Sequence, residues 1–127
     1  MFTRARDIPI TRRPDYASDW RKHYESRMVS PAEAVVHVKS GDHVAICRGR
    51  EPQALGLALA ARRGELRNVR LTVPQPGRDF GWYDDPSWGE SFRVEIGFVS
   101  NLARQPANDG FVLYRANSDL SESNPAY

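Results

Sequence analysis

Two short apolar runs with a helix-forming stretch between them constrain this chain more than anything else in it. Residues 42–47, DHVAIC, read as a strand, and residues 68–73, NVRLTV, as a second. An apolar run such as DHVAIC, rather than strict alternation, marks a strand of a buried parallel sheet. Between them, the stretch from Pro52 to Arg63 sets Leu55, Ala58, Leu59 and Arg62 at i, i+3, i+4 and i+7. That is the spacing of one helix face, and Gly64 supplies the stop. Strand, helix and strand within about 30 residues make a βαβ unit with a right-handed crossover. The expected fold class is therefore α/β, a small, mostly parallel open sheet with flanking helices.

The flanking segments extend this unit. In SPAEAVVHVKSG, Ser30 is a helix N-cap, Pro31 sits at the first helical position and Glu33 completes a capping box. Ala34, Val35 and Val38 form the buried side of that short helix, and Gly41 ends it. Upstream, Trp20, Tyr24 and Met28 recur at helical spacing and predict a short helix that packs by one aromatic edge. Residues 92–99, FRVEIGFV, place Phe92, Val94, Ile96 and Phe98 on one face and Arg93 and Glu95 on the other, a half-buried strand. SNLARQPANDG predicts a short helical turn, and residues 111–115, FVLYR, a fourth strand. Residues 1–14 have no period and read as an extended arm, leaving residues 15–127 as one domain. No internal repeat or heptad is present.

Residues 74–91, PQPGRDFGWYDDPSWGES, break the pattern with three prolines, three glycines and the aromatics Phe80, Trp82, Tyr83 and Trp88. A connection this long in a compact domain is functional or disordered, and its aromatic content argues against disorder. These rings could stack on an adenine, cover the chain's own core, or form an interface or cleft loop with a partner. The interface is the favoured reading.

Bulk properties exclude several classes. A chain of 127 residues has room for one domain, and its formal net charge of +2 is too small to argue for nucleic acid. Of 18 basic residues only Lys22 and Lys39 are lysine, and the arginines are interleaved with 16 acids. No recognised nucleic-acid module appears. No run approaches the roughly 20 apolar residues of a membrane span, and the N-terminus lacks a signal's apolar segment. The single cysteine, Cys47, allows no internal disulfide. The expectation is a cytoplasmic protein that binds neither nucleic acid nor membrane.

The candidate site is the turn between the first strand and its helix: Arg48, Gly49, Arg50, Glu51, Pro52 and Gln53. Ligands of open α/β sheets sit at the carboxyl ends of strands, and a helix N-terminus offers unpaired N–H groups and a positive dipole end to an anion. Arg48 or Arg50 could grip a carboxylate or phosphate bidentately. Equally, both could be solvated, or paired with acids across an interface. Glu51 fits the ordinary preference for an acid in a first helical turn. Cys47 reads more readily as a small buried hydrophobe than as a nucleophile. His37 and His43, beside Asp42, form a poor metal pattern, so no metal is expected.

The order of these segments resembles the start of acetyl-CoA hydrolases and transferases of the 4-hydroxybutyrate CoA-transferase type. The resemblance rests on YESRMVSPAEAVVHVKSGDHVAI, GREPQALGLALAAR, ELRNVRL, SFRVEIGFVS and DGFVLYRANSDLSE, and runs over about residues 24–122. It implies the first of two α/β halves, with an active site between the halves and coenzyme A as a substrate moved between carboxylic acids. The family's nucleophile is a glutamate of the second half, which forms a mixed anhydride and then a glutamyl-CoA thioester. Glu51, Glu90 and Glu95 lack that glutamate's context, so no catalytic residue is expected in this chain.

By resemblance the turn at 48–53 would lie at the acyl-CoA site. The family's matching turn is glycine-rich, whereas Gly49 here stands between two arginines. The resemblance implies a small subunit of a heteromeric CoA-transferase or acyl-CoA hydrolase, inactive alone. It would form part of the acyl-CoA cleft while a larger partner chain supplies the glutamate. The alternative is a non-catalytic scaffold or binding subunit that kept the half-fold.

Overall fold

A computed structural model describes residues 19–116, so the arm expected over residues 1–14 and the last residues of the domain expected over 15–127 lie outside the described residues. Four helices and four strands follow in the order α1 (Trp20–Glu25), α2 (Pro31–Val35), β1 (His43–Ala45), α3 (Gln53–Ala60), β2 (Val69–Val73), β3 (Phe92–Ile96), α4 (Asn101–Asn108) and β4 (Leu113–Tyr114). A 3-10 helix, Pro86–Glu90, precedes β3.

The strands lie in the order β1-β2-β3-β4 and every pairing is parallel. Leu71 sits beside Val44 on one side and Val94 on the other. The Ile46 N–H, donating to the Thr72 carbonyl at 2.9 Å, carries the ladder one residue past β1. Because the strands advance in one direction across the sheet and such crossovers are right-handed, the three connections fall on the same face. Burial agrees. Val69, Leu71 and Val73 of β2 and Phe92, Val94 and Ile96 of β3 are buried, with Leu59, Ala60, Phe80, Trp82, Ala103 and Val112 in one core. Between them, Arg70 and Arg93 are exposed and Thr72 and Glu95 half-buried, so among the described residues no second layer covers the opposite face.

The helix starts follow local chemistry. The Ser30 hydroxyl accepts from the Glu33 N–H at 3.2 Å, and the Ser30 N–H donates to the Glu33 carboxylate at 2.8 Å, completing the capping box. Those Ser30 contacts hold the Glu33 carboxyl below its ordinary pKa. The Ser100 hydroxyl caps α4 by accepting from the Ala103 N–H, without a reciprocal carboxylate.

Three packing expectations are corrected. Leu55 does not lie on the buried face of α3. That face is Gly56, Leu59 and Ala60, while Leu55 and Leu57 are exposed. The Phe80 ring is the cause, since a Cβ at Gly56 would sit only 2.4 Å from it, so the helix turns its one side-chain-free position toward the ring. Phe98 is exposed because β3 ends at Ile96. Trp20, Tyr24 and Met28 are all exposed, and α1 buries none of its residues against the rest. Arg62 is half-buried as its spacing requires. Its guanidinium donates to the Val35 and Val38 carbonyls at 2.5 and 2.8 Å, tying α3 to the end of α2.

No helix among the described residues is long and apolar enough to cross a membrane.

Candidate functional site

The carboxyl edge of the sheet brings together the turn at 48–53, which follows β1, and the start of the long connection after β2. The turn depends on Gly49, whose φ of 98° lies in the left-handed region that side chains disfavour. A Cβ there would meet nothing within 4 Å, so the glycine serves backbone shape and the space above it is open. Arg48 and Arg50 both point into solvent.

Pro52 occupies the N-cap position of α3 and no side chain caps the helix. The other α-helices among the described residues start on the capping side chains Asp19, Ser30 and Ser100. The first N–H groups of α3 therefore lack the acceptor that a Ser, Thr, Asp or Asn would provide.

Glu51 departs from the plain first-turn acid expected of it. Its side chain is only 4% exposed. One carboxylate oxygen accepts from the Gly77 N–H at 3.0 Å, across 26 residues of sequence. The other oxygen is buried without a hydrogen-bond partner among the described residues. Next to it, the Gln53 side-chain oxygen accepts from the Arg78 guanidinium at 2.8 Å. Two contacts thus fasten the turn to residues 77–78.

Behind this junction lie the aromatics. Phe80, Trp82 and Tyr83 are buried in this chain's own core rather than displayed to a partner, which differs from the favoured interface reading. The reason is that the connection between β2 and β3 contains no α-helix, only the short 3-10 helix Pro86–Glu90. A buried parallel strand pair needs an apolar cover, and here the rings supply it. Phe80 and Trp82 lie with centroids 4.6 Å apart, and Trp82 meets both Tyr83 and Phe92 at 6.3 Å. Trp88 is half-buried, stacked on Phe92 at 6.2 Å, with the Arg63 guanidinium over its other side at 4.3 Å from the centroid.

The Trp82 indole nitrogen and the Tyr83 hydroxyl, like Glu51 Oε1, are buried without a hydrogen-bond partner among the described residues. Burial pushes the Tyr83 phenol well above its ordinary pKa. The Trp82 indole opposes the rise, while the carboxylates of Glu51 and Asp79 add to it. The carboxylate and the phenol are thus close enough to sense each other. The phenol stays protonated, with a proton to donate.

The remaining candidates separate. Cys47 is exposed, not a buried hydrophobe, because it follows the last paired residue of β1. The His43 ring bonds the Thr72 hydroxyl at 2.7 Å and the Arg70 guanidinium at 2.9 Å. His37 is exposed. Glu90 pairs with Arg67 at 3.8 Å and Glu95 with Arg115 at 3.1 Å, so both face ordinary surface partners. Glu51 is the residue that sequence reasoning undervalued. The available signal was Pro52, standing where a polar cap belongs.

Solved structures similar to this chain include that of RipA from Yersinia pestis, at 27% identity and a TM-score of 0.63, covering 78% of this chain and 26% of that one. Two structures of RipA variants match at 25% and 26% identity with TM-scores of 0.68 and 0.66, each over 78% of this chain and 25% of theirs. This chain spans about a quarter of the length of the solved structures it matches. The α/β fold, a parallel sheet with flanking helices, matches that of these RipA structures. No protein-family model and no curated protein sequence matches the chain.

Proposed function

We propose that this chain is the small subunit of a heteromeric CoA-transferase. It would contribute the first α/β half-fold and one wall of the acyl-CoA cleft. The observation that carries the reading is the junction at the carboxyl edge, where an uncapped helix start meets the buried, half-engaged carboxylate of Glu51. The likeness to RipA over most of the chain supports it, as does the order of the five sequence segments.

In this reading each residue of the turn has a task. The free N–H groups opening α3 hold a carboxylate or the developing negative charge on a thioester oxygen. Arg48 and Arg50 neutralise an acyl carboxylate or a CoA phosphate from the solvent side. Glu51 keeps the loop at Gly77 in place with one oxygen and accepts a substrate N–H or O–H with the other. The nucleophilic glutamate arrives from a larger partner chain.

A second reading, a non-catalytic scaffold or binding subunit, is favoured by one feature. The described strands run in order without a reversal, so they form no switch-point crevice of their own.

The test is co-purification with a glutamate-bearing partner, followed by kinetics of the assembled protein. Arg50→Ala is expected to weaken acyl-CoA affinity at least about tenfold, the worth of one charge-assisted contact. Unchanged turnover and affinity would support the scaffold. Family-like transfer by the purified chain alone would overturn the divided site.

A further inference from the structure

The face of the sheet turned away from α3 and α4 has an unusual make-up. All-parallel sheets occur almost only with both faces covered, yet among the described residues elements cover one face of this sheet and not the other. The register sets out what the open face presents. His43, Arg70 and Arg93 are neighbours across β1, β2 and β3 and form one row. Ala45, Thr72, Glu95 and Leu113 form the next.

The second row is close to neutral. Glu95, its charged member, is paired with Arg115 at 3.1 Å, and Leu113 is exposed. In the first row two arginines stand directly beside each other. No ion pair with a carboxylate engages Arg70 or Arg93 among the described residues. Like charges on neighbouring strands of one face repel. The His43 ring does not relieve this. It bonds Arg70 at 2.9 Å and the Thr72 hydroxyl at 2.7 Å, and so steadies one guanidinium in place.

We infer that this open face is the docking surface for a helix carrying carboxylates, supplied by a partner chain. The dimensions fit. Adjacent strands are about 4.8 Å apart and a helix is about 10 Å across, so one helix laid along the strands covers β2 and β3 together. Arg70 and Arg93 stand side by side across β2 and β3, so one acidic side chain of that helix, set above the line between the two strands, lies within reach of both guanidinium groups. Guanidinium groups bind carboxylates bidentately, and a covering helix removes the pair from water, where such contacts strengthen. The neutral row with Ala45 and Leu113 takes the helix's apolar flank. The inference rests on the sheet and its charges and not on acyl-CoA chemistry, so its failure leaves the proposed function standing.

The probe is a helical peptide of about 20 residues with glutamates at every fourth position on an alanine and leucine background. It is titrated into the isotope-labelled full chain and followed by backbone amide shifts. Shifts confined to β1–β3 at His43, Arg70, Thr72 and Arg93 are expected, with binding that weakens as salt rises. Arg70→Ala with Arg93→Ala should weaken it at least about tenfold, while Arg48→Ala with Arg50→Ala leaves it unchanged. Shifts centred on residues 48–53, no binding, or equal binding by the Arg70/Arg93 variant would overturn the inference. So would inorganic phosphate reproducing the same shifts at the same concentration, which would mark a small-anion site. Sedimentation of the chain alone is the second measurement. A concentration-dependent dimer abolished by Arg93→Glu would replace the acidic partner with a second copy.

Discussion

The two faces of the sheet are made from the same two central strands, and they could hardly be less alike. One presents Val69, Leu71, Val73, Phe92, Val94 and Ile96 to a dry core. The other presents Arg70 and Arg93 to solvent, with Thr72 and Glu95 half-buried beside them. Strict alternation along β2 and β3 produces this, because side chains of a strand point to opposite sides. Alternation of that kind belongs to sheets with one wet face, whereas parallel sheets usually carry apolar residues on both. The packed face therefore accounts for the stability of the chain, and the open face for what it can meet.

The largest effect that would break the comparison lies behind the packed face. Trp82→Ala removes a ring 1% exposed and should cost about 3–5 kcal/mol of unfolding free energy, read from urea denaturation. A cost below about 1 kcal/mol would mean that the aromatic connection is not the cover it is taken to be. Next comes Gly56→Ala. Alanine favours a helix by up to about 1 kcal/mol, but its Cβ would lie 2.4 Å from Phe80, so a net loss of about 1–3 kcal/mol is expected. Adding Phe80→Leu should recover part of that loss, and no recovery would place the strain elsewhere. The smallest effect sharpens the contrast on the other side. Arg70→Ala and Arg93→Ala should each shift stability by no more than about 0.5 kcal/mol, with relief of repulsion acting toward the stabilising side. A loss as large as that expected for Trp82→Ala would erase the distinction between the faces.

Much of the fold was legible because it depends on near neighbours. The Ser30 to Glu33 capping box and the alternation of Phe92, Val94 and Ile96 are each decided within a few residues, whereas α3 ends at Ala60, before the stop expected at Gly64. The two strands of the βαβ unit were legible for the same reason. The orientation of α3 was not. Leu55 with Ala58, Leu59 and Arg62 makes a stripe as plausible as the buried one. Only the Phe80 ring, brought in from another connection, selects the side bearing Gly56. The aromatic segment was legible as ordered, but its destination was not, since nothing local says that β2 and β3 lack an α-helix between them.

At the candidate site, the turn and its place at the carboxyl edge were legible. The burial of Glu51 was not, because it depends on a bond to Gly77 that sequence periodicity cannot anticipate. Cys47 missed in the opposite direction. An apolar run was read as continuing into it, and the strand had already ended at Ala45.

The three tryptophans of the chain occupy three different surroundings. Trp20 stands in solvent, Trp88 lies half-buried beneath the Arg63 guanidinium, and Trp82 is enclosed among Phe80, Tyr83 and Phe92. Indole emission moves to longer wavelength as its surroundings become more polar, so the native spectrum is a composite of a blue and a red component. Loss of the blue component alone would report that the aromatic connection has opened while the rest of the chain is still folded. The molecule thus carries its own optical gauge, seated just behind the Glu51–Gly77 junction.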